Sequence, residues 1–210
     1  MMPLHDWGRV GERVFYDFHC SWMVEIKRAL NRGRFPKRYY VNSERFQGAL
    51  DAPKEYAPHL PGVNVVRQVG DDRVVAHVAI LSSRIKTNQP TLCSFVDAAV
   101  AALSNGVHLL IVDVHRPVRT GPNEIHSANG SEFGHEELLL GTDRPPAAVA
   151  YIAGSDTEGF AELLVVGAPV PEMPLFLTKD HSIQVPLEAT YMAAWEDVPS
   201  QYQEALLAPR

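Results

Sequence analysis

The sequence predicts an α/β fold: a mixed sheet with a right-handed βαβ crossover, flanked by helices. Three observations carry this. Residues 107–114 (VHLLIVDV) are almost continuously apolar, the pattern of a strand covered on both faces. Upstream, Val63 to Val69 and Arg73 to Leu81 are two β-rich runs separated by Gly70-Asp71-Asp72, which supplies turn chemistry for a hairpin. Between the second of these runs and 107–114 lies a helical repeat, so strand, helix and strand form a crossover whose strands run parallel and whose hand is right.

The elements follow in order. Asp17 is the expected N-cap of a first helix, because Phe18, Trp22, Ile26 and Leu30 then recur every four residues. Met23 and Ala29 widen that stripe, and Gly33 stands where a C-terminal cap belongs. Residues 39–44 (YYVNSE) have the aromatic and β-branched content of a strand, whereas 48–62 (GALDAPKEYAPHLPG) has the composition of a loop. Thr91 to Asn105 is the crossover helix, with Leu92, Phe95, Val96, Ala99, Val100 and Leu103 on one side and Gly106 ending it. A long polar connection over 115–147 is expected, with a short helical turn around 132–138. A further hairpin is expected from Ala148–Ala153 and Ala161–Val166 around Ser155-Asp156. Pro169, Pro171, Pro174 and Pro186 divide 167–186 into short pieces. Leu187–Glu196 and Ser200–Leu207 read as helices. The expected organisation is a single α/β domain over 1–210. Its core spans about 15–115, and the strands and helices of about 148–207 pack on it.

Composition narrows the class. The chain has 210 residues, 46% hydrophobic and 21% charged, the balance of a globular protein. No apolar run reaches the roughly 20 residues of a membrane-spanning helix, and the opening MMPLHDW has no signal-peptide pattern, so no membrane partner and a cytoplasmic location are expected. Cys20 and Cys93 fall on predicted helices far from any CxxC spacing, which excludes a zinc knuckle or a disulfide framework. Cys20 and Trp7, Trp22 and Trp195 are expected as packing residues; exposure of Trp7 would instead mark a contact surface.

The net charge of −6 hides an asymmetry. Residues 1–119 carry 16 Lys/Arg against 11 Asp/Glu; residues 120–210 carry 3 against 14. Lys27, Arg28, Arg32, Arg34, Lys37 and Arg38 form a basic cluster with no acid between Ile26 and Ser43. Such a cluster can hold phosphates, or it can be solvated cations gathered at a helix C-terminus. No glycine-rich loop or aromatic platform accompanies it, so at most weak nucleic-acid contact is expected there.

Several segments carry a resemblance. Met2-Pro3-Leu4-His5-Asp6-Trp7, Phe18-His19, Trp22, Ala29-Leu30-Asn31, the stretch 104–110 (SNGVHLL), Val112-Asp113, 173–177 (MPLFL) and 185–191 (VPLEATY) are together similar to a bacterial family of M-P-L-H-D-W proteins. The likeness spans nearly the whole chain and implies no particular activity. The core resembles the restriction-endonuclease-like PD-(D/E)XK superfamily, including endonucleases of the Uma-two type. In that superfamily, carboxylates from neighbouring strands hold Mg²⁺ while a lysine assists the metal-bound water in attacking a phosphodiester.

The resemblance implies a strand of the form E-hydrophobic-hydrophobic-S-P-x-N-K before the crossover helix. Residues 79–86 (AILSSRIK) match it at Ser82 and Lys86, but Ala79 stands at the acidic position, Ser83 at the proline and Ile85 at the asparagine. The other acidic position can be met only by Asp51, in a loose alignment, with Glu44 as a further supplier. His77 shares a strand face with position 79 and is open to two roles, a transition-metal ligand or a hydrogen-bonded core residue. Asp113, at the carboxyl end of its strand, can serve a ligand or accept hydrogen bonds from a loop. Lys86 without its acid is most simply a surface lysine. His115, His126 and His135 with Glu132, Glu136 and Glu137 match no zinc spacing and are expected as solvated loop residues. No nucleotide fingerprint or nucleophile elbow occurs.

Two functional readings follow. The favoured one is a catalytically degenerate endonuclease-like domain acting as a binding or interaction module, with no cofactor. The alternative is a Mg-dependent phosphodiesterase or nuclease whose acidic ligand has moved to Asp51, Glu44 or Asp113.

Overall fold

The computed structural model describes residues 4–43, 46–47, 59–60, 62–115, 145–154 and 158–208. After a 3-10 turn at Trp7–Arg9, the chain forms α1 (Glu12–Asn31), β1 (Tyr39–Asn42), β2 (Phe46–Gln47), β3 (His59–Leu60), β4 (Gly62–Val69) and β5 (Asp71–Ile80). Then come α2 (Ser83–Thr87), α3 (Gln89–Ser104), β6 (His108–Asp113), β7 (Ala147–Ile152) and β8 (Glu158–Leu163). The described chain ends with β9 (Met173–Thr178), β10 (His181–Val185), α4 (Leu187–Trp195) and α5 (Ser200–Leu207). Among the described residues, six strands make one sheet in the order β1-β4-β5-β6-β7-β8, in which only β5 and β6 run parallel.

Strand alternation divides the core into two layers. Ala76, Val78 and Ile80 of β5, with Leu110 and Val112 of β6, face Phe15, Phe18, Trp22, Ile26 and Leu30 of α1. Tyr191 and Trp195 of α4 and Leu175 and Leu177 of β9 complete that layer. On the opposite face, Ala79 and Leu81 with Leu109 and Ile111 pack under Leu92, Phe95, Ala98 and Ala102 of α3. Both faces of β5 and β6 are therefore covered, which is why β6 is apolar almost without interruption.

The crossover closes through local chemistry. The Asn88 side chain accepts the backbone N–H of Thr91 at 3.0 Å and caps α3, with Pro90 in its first turn. At the other end Gly106 adopts φ +77°, with its N–H on Leu103 O and that of Val107 on Ala102 O. This is the paired closure of a Schellman motif, and it turns the chain directly into β6.

Several expectations need correction. α1 starts at Glu12, so Asp17 is an exposed residue within the helix and no N-cap. The added turn is held because Phe15 continues the buried stripe. Trp7 is buried against Phe15 and Phe18, with ring centroids 5.3 and 4.2 Å away, so it marks no contact surface. Cys20 is exposed rather than packed. Residues 83–87, given no helix by the sequence, form α2. The stretch 167–186, divided on paper by prolines, contains the β9–β10 hairpin, in which Pro174 pairs with Gln184. In a two-stranded sheet each strand has a free edge, so a residue without an N–H fits where it would break a central strand. The loop expected over 48–62 contains β3 and the start of β4. Its remainder, and the connection from 116 to 144 with its expected turn at 132–138, lie outside the described residues.

Candidate functional site

The carboxyl ends of β5 and β6 bring together side chains that are distant in sequence. Asp113 is the last residue of β6, and Lys86 reaches it from α2. The Lys86 ammonium donates to Asp113 Oδ2 at 2.7 Å and to the His115 carbonyl at 3.2 Å. Asp113 Oδ1 accepts the backbone N–H of His115 at 3.0 Å, so both carboxylate oxygens are engaged. The two side chains are only 3% and 13% exposed, so this pair works largely out of water. Burial pushes the Asp113 carboxyl up, against the opposing pull of the Lys86 charge and of the hydrogen bonds from Lys86 and His115.

Two histidines border the pair. The His115 ring stands edge-on to Phe15 with centroids 4.2 Å apart. Its pKa is lowered to about 4, by burial first, then by the Lys86 charge and by His19. From α1, His19 Nε2 lies 3.1 Å from the carbonyl of Ile80. A carbonyl only accepts, so this nitrogen carries the proton and Nδ1 does not. Burial lowers the pKa of His19, against the hydrogen bond to Ile80 that favours charge. His19 Nδ1 and His115 Nε2 are buried without a hydrogen-bond partner among the described residues. Both rings are neutral at pH 7.

Ala79 is fully buried in the α3 layer, opposite Ile111 of β6 and Gly62 of β4. Because Asp113 follows Ile111 by two residues, positions 79 and 113 share one face of adjacent parallel strands. An acid at 79 would stand diagonally from Asp113; instead a methyl group meets an apolar layer. His77 shares that face but lies opposite Leu109, four residues before Asp113, and takes no part. It is completely buried, with Nδ1 2.7 Å from Asn64 Oδ1, so it is a hydrogen-bonded core residue.

Three site expectations are thereby corrected or placed. Lys86 is buried and ion-paired rather than a surface lysine, because an aspartate 27 residues away in sequence gives it a partner. His115 is buried rather than solvated. Asp113 accepts hydrogen bonds from Lys86 of α2 and from the His115 backbone just after β6. Asp51, Glu44, His126, His135, Glu132, Glu136 and Glu137 lie outside the described residues. Among the described residues, no group of three or more metal-ligating side chains converges. The sequence carries no site signal at His19 beyond its place between Phe18 and Trp22 on the apolar stripe, which buries it.

The basic cluster lies away from this site. Arg28, Arg32, Arg34, Lys37 and Arg38 are exposed. Lys27 donates to Ser43 Oγ at 3.1 Å, Arg28 pairs with Glu25, and Arg34 donates to the Gln184 carbonyl at 3.4 Å.

A second polar cluster is structural. The Tyr191 hydroxyl accepts from the His5 backbone N–H at 3.2 Å and from Trp7 Nε1 at 3.1 Å, so its own proton goes to His5 Nδ1 at 2.8 Å. The His5 ring stacks on Trp195 with centroids 3.7 Å apart. The Leu4-His5-Asp6-Trp7 stretch thus latches the start of the described chain to α4. Comparison with family models, with curated proteins and with solved structures gives no match for this chain.

Proposed function

We propose that this chain is a catalytically degenerate endonuclease-like domain that acts as a non-catalytic interaction module. One observation supports the reading: Lys86 is bonded to Asp113, while Ala79, which the resemblance sets at an acidic position, is buried among apolar side chains. Two carboxylates and a lysine around Mg²⁺ leave the lysine free to act on the attacking water. With Asp113 as the one acid bonded to Lys86 among the described residues, the ammonium and this carboxylate neutralise each other. A divalent ion would then have to displace a buried, hydrogen-bonded cation to reach one hard oxygen ligand.

The basic cluster supports at most a weak, salt-sensitive contact with nucleic acid, since three of its six cations are already engaged by protein groups.

The test is calorimetric titration with Mg²⁺ and Mn²⁺ beside a nuclease assay on the wild type, Asp51→Ala and Ala79→Glu. No metal heat and no cleavage are expected of the wild type, and Ala79→Glu is expected to gain divalent-ion binding. Metal-dependent cleavage by the wild type that disappears in Asp51→Ala would overturn the reading in favour of a relocated acid.

A further inference from the structure

All six residues of β8 are exposed, and among the described residues this strand pairs only with β7. A strand at a sheet's edge presents unpaired N–H and C=O groups along its outer side. Here the strand's two faces are open as well. Phe160 is 48% exposed and Leu163 67%, and Val165, just beyond the strand, is 61% exposed. The register with β7 sets Gly159, Ala161 and Leu163 on the α3 face and Glu158, Phe160 and Glu162 on the other. Phe160 stacks on Phe176 of β9 with ring centroids 5.6 Å apart.

We propose that β8 is a docking edge that takes an extended, basic segment of a partner protein as a seventh strand of the sheet. Backbone pairing would supply a sequence-independent ladder, and side chains would select the partner. On one face the incoming strand needs cations opposite Glu158 and Glu162, with an aromatic or aliphatic residue between them opposite Phe160. On the other face it needs apolar residues over Gly159, Ala161 and Leu163. Charge decides against a second copy of this chain as the occupant. A two-fold pairing centred on Phe160 sets Glu158 against Glu162 twice, and like charges directly opposite are unfavourable. Pairing centred on Ala161 avoids that clash but still joins two segments that each carry 14 acidic against 3 basic residues over 120–210. A basic strand meets both conditions.

The inference rests on the interaction-module reading and names its partner, but it is tested separately. The probe is the peptide acetyl-Val-Lys-Val-Phe-Val-Lys-Val-amide, titrated into the full chain while amide hydrogen exchange is followed. Binding is expected, with exchange of β8 amides slowed and no binding of the same peptide carrying Glu for both Lys. The double variant Glu158→Lys/Glu162→Lys, altered only at exposed positions, turns two attractive cross-strand pairs repulsive and should weaken the peptide about tenfold. Failure of the peptide to bind, equal affinity for the double variant, or a homodimer in sedimentation that Leu163→Lys dissolves would each overturn the proposal. Metal-dependent cleavage would sink the non-catalytic reading and leave these outcomes unchanged, so the two failures are distinguishable.

Discussion

Replacing Lys86 by Met keeps most of the stem's volume while removing the charge that faces Asp113. The carboxylate left behind is 13% exposed and retains one donor, the His115 N–H at 3.0 Å. Removing one partner of a buried pair costs about 3–5 kcal/mol, because the other charge stays behind uncompensated. At about 2–4 °C per kcal/mol for a chain of this length, Lys86→Met should lower Tm by about 6–20 °C. The loss should shrink in acid. Burial already raises the Asp113 pKa, and without Lys86 no ionic group among the described residues opposes that rise. A carboxyl whose folded pKa lies above its unfolded value destabilises at neutral pH and stops doing so as pH falls through the folded value. The double variant Lys86→Met/Asp113→Leu removes both charges and should return to within about 1 kcal/mol of the wild type. Urea unfolding followed by fluorescence of the buried Trp7, Trp22 and Trp195 measures all three proteins. If Lys86→Met costs less than about 1 kcal/mol while the double variant is worse, the pair is no closed unit. Lys86 would then be free to meet a ligand, and the catalytic reading would return.

Two further outcomes follow from buried polar groups. Burial holds His5 and His115 at about 4, and lowers His19 and His108, whereas an unfolded histidine titrates near 6.5. The stability that His5 and His115 contribute is complete above about pH 6.5 and is lost as pH falls towards 4; His19 and His108 act in the same direction, while Asp113 works with the opposite sign at the acid end. A pH series of urea midpoints should show that decline, with His115→Gln reducing the slope by about one proton; a flat profile over the window would refute it. Tyr191→Phe leaves Trp7 Nε1–H, the His5 N–H and His5 Nδ1 without their shared partner, and should cost at least about 2 kcal/mol. Urea unfolding checks this, and a cost within about 0.5 kcal/mol would mean water replaces the phenol.

Local chemistry made much of the fold legible. Gly70, with φ +73°, turns β4 into β5, and Gly106 turns α3 into β6, each at the position where the sequence marks a break. The apolar run over 107–114 gave away a strand between two layers. What stayed hidden depends on contacts across the chain. The prolines around 171–186 discourage a strand until β10 is seen to need only one edge of β9, although Met173, Leu175 and Leu177 already alternate inward. The start of α1 depends on Phe15 meeting Trp7 and His115, neither of which is a neighbour in the helical repeat. The candidate site was half visible: Lys86 and Asp113 could each be picked out, but not that they are partners.

That partnership gives the electrostatic logic of the proposed reading. With carboxylates at both 79 and 113, two negative charges at the end of adjacent strands would repel unless a divalent ion lay between them, and the lysine would complete a near-neutral set. With Ala79 in place of an acid there is no such repulsion between 79 and 113 to hold a site open for a cation. Among the described residues Lys86 then balances Asp113, and the pair is neutral and largely buried. Bringing a divalent ion into that arrangement would leave two uncompensated positive charges in a largely buried site, a cost a single carboxylate cannot offset. On the proposed reading, placing an acid at 79 should make the same place favour metal over the closed Lys86–Asp113 pair. Neutralising Lys86 alone leaves a single carboxylate, and no cation site should result.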